Sequence, residues 1–250
     1  MNFLGGITQN IDCHIIHDTV KVLAYMLQIY ETETTIRSSR VKAFIWKNDS
    51  DLDISIEDRN LEMIGNTCSI LEMSIRRGIA DCEATYNEMG STLVLLLLKV
   101  IECCLESSRT EGDNGEMVLL RGAVLSVNKA TEIICHVSRL SLHVRESIAS
   151  IPGVLSILIR LAESTITAES QVNAYCAIAN LSCEPNNVSL LASEPDLMSL
   201  LQFAVTKEEM SNEEYFTRGN GDLIKNHSLR ALMNLAASKH INISVDIQIN

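Results

Sequence analysis

Apolar residues recur at helical spacing along most of the chain. In one set, successive members lie three or four residues apart, which predicts a helix over roughly residues 11–31 with a buried face formed by Ile16, Val20, Leu23, Leu27 and Tyr30. A second set predicts a helix that begins near Ser55, with Asp58 as an acidic capping residue and a buried face formed by Leu61, Ile64, Cys68, Leu71 and Ile75. Residues 91–106 are apolar on nearly all sides, which predicts an enclosed helix, and a further helical pattern covers residues 116–140.

The second half of the chain repeats its own pattern. Residues 128–158 align with residues 172–201, so that Ile134 matches Ile178 and, after one deletion, Pro152 matches Pro195. A third copy starts near residue 226, after an acidic insertion at 207–222. Each copy predicts a short helix, a second helix that begins at the proline, and a longer third helix. Because one such unit cannot bury its own apolar face, the copies are expected to stack on one another.

The segment IPGVLSILIRLAESTITAESQVNAYCAIANLSCEPNNVSLLAS resembles an armadillo repeat. The resemblance rests on the Pro-Gly-apolar opening of the second helix and on the Ala-x-x-Ala-Ile-x-Asn-Leu-Ser core of the third helix, and it covers residues 128–238. Related HEAT repeats share the periodicity but usually lack the Asn-Leu-Ser ending. The resemblance implies an all-α fold, a right-handed α-solenoid of stacked helical repeats.

This reading divides the chain into three segments. Residues 1–54 hold N-terminal helices suited to capping the solenoid, residues 55–127 hold divergent helical repeats, and residues 128–250 hold the armadillo-like repeats with an incomplete last repeat. The final residues, INISVDIQIN, alternate apolar and polar, which taken alone is a strand pattern. In the repeat register they form the first short helix of a further unit, whose end has no cap.

Composition and charge narrow the class of partner. Aromatic residues make up 4% of the chain, and there are only three prolines, which favours packed helices over a sheet sandwich. The formal net charge of −12 disfavours nucleic acid and anionic lipid as partners, because both would be repelled. A basic or polar protein partner fits this charge better.

Cysteine usage and the distribution of apolar runs bear on location. The eight cysteines mostly lie within apolar helical patterns, which indicates reduced core thiols in a cytosolic or nuclear protein rather than a secreted disulfide framework. The opening MNFLGGITQNIDC lacks the features of a signal peptide, and the apolar run at 93–98 is too short to span a bilayer.

Two patterns carry metal-ligand chemistry, and both are incomplete. Cys13 and His17 lie one helical turn apart, but a structural zinc site needs four ligands and no second cluster has metal spacing. An acidic run between two helices is similar to a calcium loop and consists of Asp49, Asp51, Asp53 and Glu57. It has Ile54 where the loop needs Gly and Asn60 where it needs Glu. We therefore expect no metal and no cofactor.

Catalytic signatures are absent from the sequence. There is no G-x-S-x-G, H-E-x-x-H, P-loop or G-x-G-x-x-G motif, and none of the six histidines lies beside a Cys or Ser in a way that indicates an activated nucleophile. The segment 219–222, Gly-Asn-Gly-Asp, is followed by neither Lys nor Ser/Thr and is interpreted as a turn in the insertion. These observations predict a protein that is not an enzyme and has no small-molecule substrate.

The third helices carry the candidate binding residues. At about 100° per residue, a buried stripe in the central copy is formed by Ala174, Ala177, Ile178 and Leu181, with Asn173, Asn180 and Glu184 on its flank. The repeat register places these in rows with residues of the other copies: Lys129, Asn173 and His227; His136, Asn180 and Asn234; Leu140, Glu184 and Ser238. In armadillo proteins the third helices line a groove, and the Asn before the core Leu hydrogen-bonds an extended peptide.

The resemblance carries this role to Asn180 and Asn234, whereas His136 departs from it. Cys176 and Arg230 stand where nuclear-import receptors of the family carry Trp, which disfavours recognition of classical basic import signals. The predicted groove consists of Asn180, Asn234, His136, Asn173, His227, Glu184 and Arg230. The alternative role for the asparagines is hydrogen bonding at helix ends or between repeats.

The sequence thus predicts a protein–protein interaction scaffold or adaptor that binds an extended or helical segment along the third helices. The alternative is a structural or assembly subunit that stacks through its uncapped C-terminal end.

Overall fold

The computed structural model describes residues 15–32, 50–77, 86, 91–107, 110–111, 117–118, 120–164, 167–206 and 218–237, without the side chains of 50–57, 77, 107, 110–111, 117–118 and 218–219. Over these ranges the protein is all-α, as the sequence predicts. The strands in this part of the chain are two short antiparallel segments, β1 (Thr110–Glu111) and β2 (Met117–Val118). The incomplete last repeat, the acidic residues 207–217, Cys13 and Asp49 lie outside the described ranges.

The described helices range from six to 28 residues in length. They are α1 (15–32), α2 (Ser50–Arg77), α3 (Thr92–Ser107), α4 (Arg121–Val137), α5 (Leu142–Ala149), α6 (Val154–Glu163), α7 (Ala168–Leu181), α8 (Val188–Ser193), α9 (Leu197–Thr206) and α10 (Arg218–Ala237). A 3-10 turn, Pro185–Asn187, precedes α8. The chain divides into two compact units, Met1–Val137 and Ser138–Asn250. The three repeat-based segments proposed from the sequence stay predictions.

In the first unit four helices form a closed ring of contacts. Helix α4 packs against α2 and α3. Helix α1 reaches the same two neighbours, because Thr67 of α2 donates to the Met26 sulfur at 3.3 Å and Lys99 of α3 pairs with Glu31 at 2.7 Å. Both apolar stripes predicted in this unit are fully buried, from Ile16 to Tyr30 and from Leu61 to Ile75. Burial of one face of each helix against the ring is what stabilises the unit.

Helices α2 and α4 approach each other closely at two glycines. A Cβ atom on Gly122 would collide with the backbone of α2 at Asp58, Leu61 and Glu62, and one on Gly65 would lie 2.8 Å from Leu125 Cγ. The missing side chains let the helix backbones meet, as small residues do at close helix crossings.

Two polar contacts hold this crossing. The Gly122 N–H donates to Asp58 Oδ1 at 2.7 Å, and Ser126 Oγ donates to the Leu61 carbonyl at 2.7 Å. The Asp58 side chain therefore caps the start of α4, a different helix from the one the sequence predicted it to cap. Helix α2 itself begins at Ser50, so the predicted start near Ser55 is wrong by about one turn. The predicted pattern at 116–140 corresponds to the shorter α4.

In the second unit, helices that occupy equivalent positions in the aligned sequence copies contact one another. Helices α6 and α7 pack together, as do α9 and α10, so each pair forms one layer. Between the layers, α6 contacts α9, α7 contacts α10, and α5 contacts the 3-10 turn that precedes α8. This arrangement agrees with the internal repeat of the sequence, in which α5, α6 and α7 align with α8, α9 and α10.

The two aligned prolines mark the same joint but lie outside the helices. Pro152 precedes the first residue of α6 by two positions, and Pro195 does the same for α9, so the expectation that each helix begins at its proline is wrong. Gly153 takes a left-handed conformation with φ of 83° and ends the turn, a geometry that favours glycine. The predicted turn at 219–222 is also wrong, because these residues form part of the first turns of α10.

The length and hydropathy of each described helix bear on whether it could span a membrane. Among the described helices, none is by itself long and apolar enough to cross a bilayer; α5 and α6 reach that length and composition only jointly, across an 86° bend.

Candidate functional site

The predicted groove residues are divided between the two units. His136 belongs to the first unit, and Asn173, Asn180, Glu184, His227, Arg230 and Asn234 belong to the second. In the second unit they lie mainly on the neighbouring helices α7 and α10. We call the surface formed by Asn173, Cys176, Asn180, His227, Arg230 and Asn234 the α7–α10 face.

Helix α7 is positioned by local sequence signals. Thr167 is its N-cap, and the Thr167 hydroxyl accepts from the Ser170 N–H at 3.1 Å, while Glu169 lies in the first turn where a negative charge is favourable. Four small or branched apolar residues are buried on its inner side: Ala174, Ala177, Ile178 and Leu181. The alanines leave room for the neighbouring helices, so the flank of α7 lies next to α10.

Asn180 lies at the base of this face and is only 7% exposed. Its Nδ2 donates to Ser138 Oγ at 3.0 Å and lies 3.8 Å from the sulfur of Cys176, while its Oδ1 accepts from Arg230 Nη2 at 2.7 Å. Both ends of the amide are therefore engaged inside the unit. This geometry corresponds to the alternative that the sequence left open, hydrogen bonding between repeats, and the peptide-binding role of Asn180 stays a prediction.

Asn234 is half-buried and makes a similar contact one repeat further along. Its Nδ2 donates to Ser182 Oγ at 3.0 Å and to the sulfur of Cys183 at 3.2 Å. No described residue donates to its Oδ1. The two asparagines are therefore related in sequence register and in contact type, but Asn234 keeps more of its amide accessible.

Glu184 lies at the end of this row and is buried. Its carboxylate accepts from the Asn186 backbone N–H at 3.2 Å and caps the 3-10 turn. The Glu184 carboxylate thus contacts the 3-10 turn that follows it in the chain. Asn173 and His227 are half-buried on the flanks of α7 and α10.

Two arginines reach the same residue of α7. Arg230 is exposed, and in addition to Asn180 its Nη2 contacts the Cys176 carbonyl at 3.5 Å. Arg139 is also exposed, and its Nη2 lies 3.4 Å from the sulfur of Cys176. The sequence reading missed Arg139, because it lies in the turn before α5 and so falls outside the third-helix register. The one feature of the sequence that could have indicated Arg139 is its position three residues after His136, about one helical turn further along.

His136 belongs to an ionic cluster in the first unit. Its Nε2 lies 3.6 Å from Glu72 Oε1 and 3.8 Å from Glu132 Oε1. Arg76 bridges the two carboxylates, with Nε 2.7 Å from Glu72 and Nη2 2.5 Å from Glu132. Lys129 lies 2.7 Å from Glu132 Oε2 and 3.8 Å from Glu72 Oε2. We call these five residues the Glu72 cluster.

The Glu72 cluster contains ligand types that suit a divalent cation, since Glu72, Glu132 and His136 present their oxygen and nitrogen atoms close together. Glu72 is only 3% exposed, so its charge has to be compensated within the protein. Arg76 and Lys129 supply two positive charges against two carboxylates, which balances the cluster internally and opposes the entry of a cation. The geometry therefore supports a structural ion-pair network.

The same contacts determine the ionisation of Glu132. Burial alone would raise the pKa of Glu132, but the hydrogen bond from Lys129 and the charges of Lys129, Arg76 and His136 outweigh it and lower the pKa. Glu132 is therefore ionised throughout the physiological range.

The chain was compared with known protein families, proteins and structures. No protein-family model matches the chain, and no curated protein and no solved structure is significantly similar to it.

Proposed function

We propose that the protein is a non-enzymatic scaffold or adaptor that binds an extended or helical segment of another protein along the α7–α10 face. The observation that carries the proposal is the position of Arg230. Arg230 is an exposed residue, yet Asn180 and the Cys176 carbonyl hold its guanidinium within a row of polar side chains on two adjacent helices. An anchored, exposed polar row of this kind suits recognition of a segment that needs hydrogen-bond partners.

The geometry changes the roles that the sequence assigns within the groove. In this proposal Asn180 is an anchor that orients Arg230 rather than a contact for the partner. Asn173, His227, Arg230 and Asn234 are the side chains that remain accessible to a bound segment. Glu184 and His136 hold their local surroundings together through the contacts described above.

We also propose that the repeats are of armadillo type and continue as an α-solenoid. The contacts of α6 with α9 and of α7 with α10 support this proposal, since solenoid repeats stack helix against equivalent helix. The aligned prolines, each two positions before a second helix, support it as well.

The proposed location is the cytosol or nucleus. Six described cysteines are free thiols, and burial raises the pKa of Cys68 to about 12 and the pKa of Cys103 to about 11, which keeps both protonated. Such thiols are typical of a protein that works under reducing conditions.

Site-specific photo-crosslinking in the native cell tests the binding face. A photoreactive amino acid placed at Asn173 or at His227 is expected to form covalent adducts with the same partner protein. The matched control is the same substitution at Gln202, an exposed position of α9 outside the face. If all three positions gave the same adducts in equal yield, the result would contradict the proposal.

A second candidate function is assembly through an apolar surface on the first unit. Helix α1 exposes Ile15, Val22, Tyr25 and Ile29, and α2 exposes Met63, Ile70 and Met73. Seven-residue spacing links Ile15 to Val22 and Ile29, and also Met63 to Ile70, which is the spacing of helices that pack side by side. Exposed apolar stripes are typical of interaction surfaces. The predicted stacking through the C-terminal end lies outside the described residues.

Light scattering over a concentration series separates the two functions. If the apolar stripes mediate assembly, the mass of the wild-type protein rises with concentration and Val22→Glu abolishes the rise, because a buried charge at an interface is costly. The control Lys21→Glu changes an exposed neighbour outside the stripe. A constant monomer mass at every concentration would exclude self-assembly.

A further inference from the structure

We infer that the segment bound on the α7–α10 face is acidic, and that Arg139 and Arg230 bind its carboxylate or phosphate groups. This inference rests on the proposed function, because it specifies the chemistry of the partner at the same face. It reverses the expectation of a basic partner, which came from the net charge of the whole chain.

The first support is that two guanidinium groups reach one residue. Arg139 contacts the sulfur of Cys176, and Arg230 contacts the carbonyl of the same residue. Each arginine comes from a different element, the turn before α5 and helix α10. Two cationic side chains therefore meet at Cys176, and an anionic group bound beside this residue would be attracted by both.

The second support is the kind of acceptor that Arg230 uses within the protein. Both of its acceptors, the Asn180 amide oxygen and the Cys176 carbonyl, are neutral. None of the ion pairs among the described residues includes Arg230. Its charge is therefore left without a carboxylate in the described part of a chain whose net charge is −12.

The third support is pre-organisation. A guanidinium has five N–H donors in a fixed plane, and the contacts to Asn180 and Cys176 use Nη2. The remaining donors lie on an exposed side chain whose position is already fixed, which lowers the entropy cost of binding. A planar fork of donors matches carboxylate and phosphate groups in a bidentate manner.

The acidic group is better supplied by a protein than by nucleic acid or a membrane. The long-range field of a chain with net charge −12 repels an extended polyanion such as DNA or an anionic bilayer. A short acidic segment feels this repulsion less, because charges more than about 8 Å away are screened at physiological salt. The arginines act at contact distance, well within that screening length.

Peptide selection on the intact protein tests the inference. The probe is a phage-displayed library of random peptides of about 12 residues, which reach roughly 40 Å when extended. Selection is run on the wild-type chain and repeated on Arg139→Gln, Arg230→Gln and the double variant. Arg160→Gln is the matched control, since Arg160 is an exposed arginine on α6. A circular-dichroism melt of each variant shows that the fold is kept.

The expected result is enrichment of peptides rich in Asp and Glu. Synthetic copies should bind each single variant roughly tenfold to a hundredfold more weakly, the range for a charge-assisted hydrogen bond, and should bind Arg160→Gln as tightly as wild type. Copies with phosphoserine in place of Glu distinguish phosphate from carboxylate as the preferred group. Added salt should weaken binding of both copies.

The contrary outcomes separate the inference from the proposed function. Neutral or basic peptides that lose binding on Asn173→Ala and His227→Ala, but not on the arginine variants, would overturn the acidic partner and keep the face as a binding site. If no enriched peptide is sensitive to any substitution on the face, both the inference and the proposed function fail.

Discussion

The Oδ1 atom of Asn180 accepts a 2.7 Å hydrogen bond from Arg230 Nη2, across the contact between α7 and α10. The Nδ2 atom of the same amide donates to Ser138 at 3.0 Å, so one buried side chain ties three segments of the second unit together. This dual contact gives Asn180 a measurable part in stability.

We predict that Asn180→Ala lowers the free energy of unfolding by about 1–3 kcal/mol, because it removes one hydrogen bond to the buried Ser138 hydroxyl and one to the Arg230 guanidinium. Urea unfolding followed by circular dichroism measures the change. The control Asn186→Ala removes an exposed amide from the 3-10 turn and is expected to stay within about 0.5 kcal/mol of wild type. Equal effects of the two substitutions would show that the Asn180 contacts contribute nothing.

The glycines of the helices offer a matched pair of substitutions. Gly122→Ala should destabilise the protein by more than about 2 kcal/mol, because the new methyl group collides with the backbone of α2, which cannot move aside as a side chain can. Gly221→Ala, in α10, meets open space and should stabilise the protein by about 0.5–1 kcal/mol through helix propensity. Thermal melts of both variants provide the test, and a stable Gly122→Ala protein would contradict the close crossing of α2 and α4.

The ionisation of Glu132 predicts a dependence of stability on pH. Its pKa in the folded protein lies below the ordinary value of 4.5, so the ionised carboxylate stabilises the fold above that value. This contribution is lost as the pH falls through the lowered pKa. Glu132→Gln should therefore be less stable than wild type at pH 7, and the difference should shrink in acid.

Urea titrations at several pH values measure this difference. The control is Glu102→Gln, which removes an exposed acid from α3. A difference that stays constant down to acidic pH would show that the contacts with Lys129 and Arg76 do not favour the ionised form.

Cysteine reactivity reports on burial in both units. Cys183 is exposed, whereas Cys68 and Cys104 are buried and burial raises the pKa of both thiols. We predict that iodoacetamide modifies Cys183 in the native protein long before it modifies Cys68 or Cys104. Mass spectrometry of the digested protein after a short exposure identifies the modified residues. Comparable early labelling of Cys68 would be incompatible with the ring of helices in the first unit.

Much of the fold follows from local patterns in the sequence. The stripe from Leu61 to Ile75 is buried as predicted, since helical spacing alone determines which side chains share a face. The repeat register also aligns the two prolines, each of which stands two residues before a helix. These features depend on residues that are near one another in sequence or on self-similarity, both of which are readable without a structure.

Contacts between distant residues could not be predicted in this way. Asp58 has a sequence context that suits capping its own helix, but it caps α4, because the glycine at 122 lets the two helices meet. Asn180 lies on the flank of its helix, where exposure is the simple expectation, yet Ser138 and Arg230 enclose it. Glu72 pairs with Arg76 one turn along its own helix, but only the fold brings Lys129 and His136, from another helix, to the same carboxylate.

The capping of α4 by Asp58 means that this helix does not contain its own start signal. A peptide covering residues 121–137 alone would lack the acceptor for the Gly122 amide, and its first turn would fray in water. Any opening that separates α2 from α4 also frees that amide to exchange its hydrogen with solvent. The exchange rate at Gly122 is therefore a direct gauge of how often the first unit opens.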